Sequence, residues 1–379
     1  MSDLTVELAD DLQAIDPAQW DAWSAGNPFV AHAFLDALHA TGCATRRTGW
    51  QPSYLLLRRG GELAGAMPLY LKRHSRGEYV FDQGWAEAFE RHGLDYYPKL
   101  LCAVPFTPVG GPRLLAGSHE DRVLLARAAV QVARQAEVSS LHVLFPSDED
   151  ARALREAGYM MREGVQFHWR NPGYGTFDDF LAAMNHDKRK KLRQDRKKVA
   201  QAGIVFRHLR GAAIGPDDLA FFYRCYASTY AAHWSSPYLN PAFFERLRAA
   251  MPDAMLLVLA ERAGEPVACA LNIAAGATLY GRYWGSTEFV PGLHFETCYL
   301  QAIEYCIAHG FESFEGGAQG VHKMSRGLLP TPTWSAHWVA DERFADAIAD
   351  FLRRETEGMD RYLDELESHT PFKAPAGAD

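Results

Sequence analysis

Near the C-terminal end of the sequence, Glu315, Gln319, His322, Lys323 and Arg326 crowd around a glycine-rich run, Gly316-Gly317-Ala318-Gln319-Gly320. Carboxylate, imidazole and ammonium groups can be tuned toward neutral pKa, so this set suits proton transfer. A glycine-rich loop at a strand's C-terminal end also frees backbone N–H groups to surround a small ligand. The plain alternative is a surface turn with solvated charges. Two nearby stretches feed the same sheet edge. Pro291-Gly292-Leu293-His294-Phe295-Glu296 joins a strand to a helix and offers His294 and Glu296. Glu296 equally suits a first-turn acid favoured by the helix dipole. Arg282-Tyr283-Trp284 closes the preceding strand, where Arg282 and Trp284 would wall the site and the Tyr283 phenol would protonate a leaving group. The catalytic set expected is therefore His322, Glu315, Tyr283, His294 and Glu296, with Gln319, Lys323, Arg326, Arg282 and Trp284 as substrate contacts.

Other chemistries lack their residues. The sequence contains no G-x-S-x-G elbow, no P-loop and no H-E-x-x-H, and no metal site is expected. The six cysteines form no C-x-x-C pair and read as reduced core residues. One further feature stands out. Eight Lys and Arg fall within 188–198, more than Asp187 and Asp195 can neutralise. This helix is either a solvated face or an anion site, with Lys188, Arg189, Lys191 and Arg193 as the expected donor-binding contacts.

The elements that position these residues show an internal repeat. Leu55–Leu69 matches Val258–Asn272, each an apolar strand, a Gly-Glu turn and a second strand, which is a β-hairpin pattern. Each hairpin leads to another strand near a Trp, 79–81 before Trp85 in the first half and 279–284 in the second. A helix and a further strand follow in each half, 123–136 then 141–145, and 295–309 then 313–316. Asp16-Pro17, Asn27-Pro28 and Asn240-Pro241 open shorter helices ahead of the hairpins. From Thr176 one helix is expected to run through the basic segment, 185–202, to a C-cap at Gly203. The seam falls at 171–175, giving domains 1–172 and 173–370 and a frayed tail, 371–379. The class is mixed α/β.

The resemblance rests on stretches spread over nearly the whole chain: Gly77-Glu78-Tyr79-Val80-Phe81-Asp82, Tyr96-Tyr97-Pro98-Lys99-Leu100, Val104-Pro105-Phe106-Thr107-Pro108-Val109, Gly164-Val165-Gln166-Phe167-His168-Trp169, Leu279-Tyr280-Gly281-Arg282-Tyr283-Trp284-Gly285 and Gly317-Ala318-Gln319-Gly320 with His322-Lys323. As a set they resemble the FemAB-like branch of the GNAT acyltransferase superfamily. The resemblance implies two tandem GNAT-like domains, each a mixed sheet flanked by helices, and direct N-acyl transfer without a covalent enzyme intermediate. Relatives carry Glu after the Gly-Ala-Gln-Gly run, where this chain has Val321, so the base would be His322 or Glu315. The Q/R-x-x-G-x-G/A pyrophosphate loop of ordinary acetyltransferases is absent. Gly110 and Gly111, in Val109-Gly110-Gly111-Pro112-Arg113, are its nearest substitute.

These implications give three function classes. The first is amide formation from an acyl-CoA or acyl-carrier-protein thioester to an amine, for instance a lipid amine such as a sphingoid base. The second is Fem-type aminoacyl transfer from aminoacyl-tRNA to a cell-wall or peptide amine. The third is non-catalytic anion binding on the same scaffold. No tightly bound cofactor is expected. Net charge of −8 and the absence of a long apolar run point to a cytoplasmic protein that does not bind DNA, with tRNA less favoured as partner and peripheral membrane contact left open.

Overall fold

The computed structural model describes residues 4–13, 15–318 and 320–373. The chain divides into two compact units, one of residues up to Gly164 with Pro332–Tyr362, the other of Val165–Thr331 with the chain from Leu363 on. This differs from the expected seam at 171–175. The long strand Leu329–Val339 carries the chain back, because its Ser335–Val339 part pairs antiparallel with Ser140–Leu144 of the first unit. A hydrophobic run alone does not announce which sheet it will join.

In the first unit, Leu4–Ala9, Tyr54–Arg59, Glu62–Met67 and Leu115–Ala116 make one antiparallel sheet. The second sheet holds Ser140–Leu144, Lys99–Cys102, Leu69–Lys72 and Trp50–Pro52, with Lys99–Cys102 parallel to Ser140–Leu144. Helix His119–Gln135, capped by the Ser118 hydroxyl, lays Val123, Leu125, Ala126 and Ala129 against both sheets. The strand expected at 79–81 is absent. Tyr79 takes a left-handed φ of 66°, and the chain curls so that Glu78 and Asp82 both reach the buried ammonium of Lys99.

The second unit is built on an antiparallel meander, Ile204–Arg210, Met255–Arg262, Glu265–Ala275 and Thr278–Ser286. The short strand Ser313–Glu315 adds parallel to Thr278–Tyr280 and pairs on its other side with His168–Arg170. Helices Pro216–Ala232 and Pro241–Ala250 each open on a proline, at Pro241 as expected. Both units thus pair a mixed sheet with flanking helices, the α/β class expected.

Two details of the second unit depart from expectation. The basic segment does not continue from Thr176. The Asn185 side chain caps Lys188 N–H and starts a new helix, His186–Gln201, after the short helix Phe177–Ala183. Nor does the tail begin to fray at residue 371. Met184 bridges to Phe372, Asn185 N–H donates to the Pro371 carbonyl, and the Phe372 ring lies 6.2 Å from Phe180. An apolar Phe has core to cover there. Among the described residues, no helix is long and apolar enough to cross a membrane.

Candidate functional site

Register alone decides which side chains meet. Along Glu265–Ala275, Leu271 and Ile273 point to one face, because strand side chains alternate. Leu271 opposes Tyr283 and Ile273 opposes Tyr280; Tyr280 then partners Glu315, and Glu315 partners His168. Tyr280 and Tyr283 are three residues apart and would normally face opposite sides. A register shift between Leu271 and Asn272 leaves Arg282 as the extra residue, and this bulge returns Tyr283 to the Tyr280 face. Tyr283 there packs against Tyr226, at 5.0 Å, and Phe244, at 5.9 Å.

The parallel pairing ends at Tyr280 and Glu315, so the two strands part beyond it. Gly316 and Gly317 line the wedge that opens. A Cβ on Gly316 would press on Leu328 and Tyr299, and Gly317 has a φ of 78°, a conformation that favours glycine. Lys323 holds the loop from beneath. Its buried Nζ donates to the carbonyls of Gly317, at 2.8 Å, and Ala318, at 3.2 Å, and burial lowers its pKa to about 8.

Glu315 is the chemically distinctive group in the wedge. Its Oε2 is buried without a hydrogen-bond partner, and His168 Nε2 lies 3.9 Å away. Burial pushes its carboxyl up to about 7, although Arg282 and Arg170 pull it down. His168 is held neutral, its pKa lowered to about 4 by burial and by Arg170 and Lys323. The pair combines a carboxylate that titrates near neutrality with an uncharged imidazole.

The expected catalytic set is thus divided. Glu315 and Tyr283 share one sheet face with His168. Trp284 opposes Ala270 and so points to the other face, where its ring meets His294 at 5.1 Å. His294 stacks on through Phe295 and Tyr299 toward His322, and the Arg326 guanidinium sits 3.7 Å above the Phe295 ring. Burial and the neighbouring His322, Arg326 and Lys323 lower the His294 pKa to about 4. His322 is exposed, with its pKa lowered by burial, Lys323 and Arg326. Glu296 lies in a π-helical turn, Glu296–Leu300, where Arg196 Nε pairs with it at 3.0 Å and Gln301 donates at 2.8 Å. It ties the basic helix to helix Gln301–His309 rather than facing Glu315. Gln319 lies outside the described residues. His168 was not among the expected residues, although its stretch, Gly164–Trp169, carries the resemblance.

On the basic helix, His186, Arg189, Lys190, Arg193, Gln194 and Lys197 share one open face. Arg189 and Arg193 lie on this face, whereas Lys191 pairs with Asp195 at 3.1 Å and Lys188 lies off it. Gly110 and Gly111 hold a turn of the first unit. Gly111 N–H donates to the Phe145 carbonyl, and the buried Arg113 guanidinium bonds the carbonyls of Val109 and Leu144. The Gly111 donor is therefore not available to a phosphate.

Several solved structures share the fold. FemX is 13% identical, with 89% of this chain and 99% of that one covered and a TM-score of 0.56. L-PGS from Bacillus licheniformis is 10% identical, with 91% and 97% covered and a TM-score of 0.56. A conserved protein of unknown function from Bacteroides thetaiotaomicron VPI-5482 is 10% identical, with 89% and 100% covered and a TM-score of 0.52. By sequence, no curated protein matches the chain. The family model described as peptidoglycan biosynthesis/recognition matches residues 11–374, and the chain therefore belongs to the FemAB-like family.

Proposed function

We propose that the protein is an N-acyltransferase that moves an acyl group from a thioester, acyl-CoA or acyl-carrier protein, to an amine at the wedge beside Glu315. The observation that carries this reading is the buried, unpartnered Glu315 oxygen on a carboxyl that titrates near pH 7. An amine reaches neutral pH as an ammonium ion, and a base of matched pKa must remove one proton before it can attack. Glu315 takes that proton and passes it to solvent. The nitrogen lone pair then forms the C–N bond, the C–S bond breaks, and the second nitrogen proton ends on the departing thiolate sulfur. Amide N–H groups of the glycine loop and the Tyr283 hydroxyl are the donors proposed for the oxyanion. Glu315 is favoured over His322 as base because His322 is exposed and on the other face.

A long-chain lipid amine is the acceptor we propose, with the Tyr283 ring, backed by the buried Tyr226 and Phe244, on the Glu315 face. Purified protein is incubated with acyl-CoA or acyl-carrier protein and a panel of amines, with aminoacyl-tRNA as a separate donor, and products are read by mass spectrometry. Amide product from a thioester, reduced by roughly a hundredfold or more in Glu315→Gln, is expected. Product from aminoacyl-tRNA alone would replace this reading with aminoacyl transfer, and no product from any donor would refute catalysis.

A further inference from the structure

Two large apolar side chains of the second unit stand almost wholly in solvent, Trp234 at 99% exposure and Phe289 at 92%. Burial of such groups is the rule, so two fully exposed ones on neighbouring turns call for a partner. Trp234 follows the end of helix Pro216–Ala232 with a left-handed φ of 54°. Phe289 follows the end of strand Thr278–Ser286. The two ends are tied together, since Thr229 Oγ1 donates to the Trp284 carbonyl at 2.8 Å and Ser228 Oγ to that of Ser286 at 3.4 Å. The Phe289 turn continues to Gly292, which abuts the Val199 side chain in the last turn of the basic helix. The helix and strand that end just before Trp234 and Phe289 are thus bonded to each other, and the turn after Phe289 abuts helix His186–Gln201.

That helix carries eight basic and two acidic side chains in a protein of net charge −8. Lys191 and Asp195 pair, as do Arg193 and Asp178, while Arg196 is committed to Glu296 and Glu304. Among the described residues, Lys188, Arg189, Lys190, Lys197 and Lys198 form no ion pair. Their positive field is local and is opposed by the charge of the rest of the molecule.

We infer that this surface docks on an anionic lipid bilayer, with the basic helix against the headgroups and Trp234 and Phe289 inserted at the interface. A cationic helix beside exposed Trp and Phe is the combination that binds membrane surfaces. Single-stranded RNA also attracts basic helices and aromatic rings, but it needs rings set as stacking platforms along a groove. Here both rings project from turn tips, a geometry for insertion. Docking deepens the proposed function, because a bilayer would present the lipid amine, yet it is measured without any acyl donor or acceptor.

The experiment is sedimentation of the full chain with vesicles of phosphatidylcholine alone and with phosphatidylglycerol added, alongside gel-shift with a single-stranded RNA. Binding that requires phosphatidylglycerol and falls with added salt is expected. Lys190→Glu, Arg193→Glu and Lys197→Glu together should lower partitioning on the order of a hundredfold or more, at about fivefold for each charge removed. Trp234→Ser with Phe289→Ser should lower it by on the order of tenfold while circular dichroism is unchanged. Equal binding to both vesicle types, no vesicle binding, wild-type binding by either variant, or tighter binding to RNA than to anionic vesicles would each overturn the proposal. Loss of acyl transfer with docking intact would instead count against the catalytic reading alone.

Discussion

Replacing Glu315 by Gln keeps the side-chain shape and removes its charge, so the variant isolates what folding does to this carboxyl. Folding raises its pKa from 4.5 to about 7. At roughly 1.4 kcal/mol for each pH unit, that gap is worth about 3 kcal/mol. The side chain is only 17% exposed, so solvent screening takes little from the figure. Proton counting gives the sign. Between pH 4.5 and about 7 the unfolded chain has released this proton while the folded chain keeps it, so the group's contribution to stability falls as pH rises through that window. Above it the wild type carries the whole cost of a buried carboxylate, and the Gln variant carries none. Urea unfolding followed by tryptophan fluorescence, repeated from about pH 4 to about pH 8, reads the difference as a shift in midpoint. The variant should gain on the wild type by up to about 3 kcal/mol across the range. A difference that stays flat over that range would refute both the buried carboxyl and its role as a base poised near neutrality.

Two further predictions concern packing. Lys99→Met should destabilise the first unit by about 3–5 kcal/mol, since it leaves Asp82 a buried charge without its cation and Glu78 with Lys72 alone, at 3.7 Å; a thermal melt of the folded variant within a degree or two of wild type would contradict the buried ion pairs. Gly285→Ala should cost about 1–3 kcal/mol because its Cβ would overlap the Cys225 carbonyl, whereas Gly84→Ala, with open space around it, should be neutral or gain up to about 1 kcal/mol. Equal melting temperatures for the two alanine variants would contradict the close approach of helix Pro216–Ala232 to the sheet.

The two hairpins were legible because a Gly-Glu turn between apolar runs is a local signal, and local signals survive in sequence. Helix starts at Pro17 and Pro241 belong to the same kind, whereas the helix expected from 123 begins at His119 behind its Ser118 cap. The wedge was legible only in part. Glu315 and the glycine run could be placed at a strand end, but which residues share its face depends on the bulge at Arg282 and on pairing with a strand about 150 residues earlier. His168 was invisible for that reason, and His322 and His294 were grouped with Glu315 although alternation and packing put them elsewhere. In the first unit, a Tyr79-Val80-Phe81 run has the composition of a strand, yet the buried ammonium of Lys99 outweighs that preference.

The bridge between Met184 and Phe372 has a consequence for biogenesis. Phe372 lies on Phe180, and a Cβ on Gly327 would strike the Phe180 and Phe372 rings, so this segment floors the chain that leaves the glycine loop. A ribosome delivers residues in order and holds the newest ones in its tunnel. The second unit can therefore form its meander while Phe372 is still being made, but the floor beneath the loop must wait. Competence of the wedge then follows the meander in the order of synthesis, separate in time from the appearance of the fold.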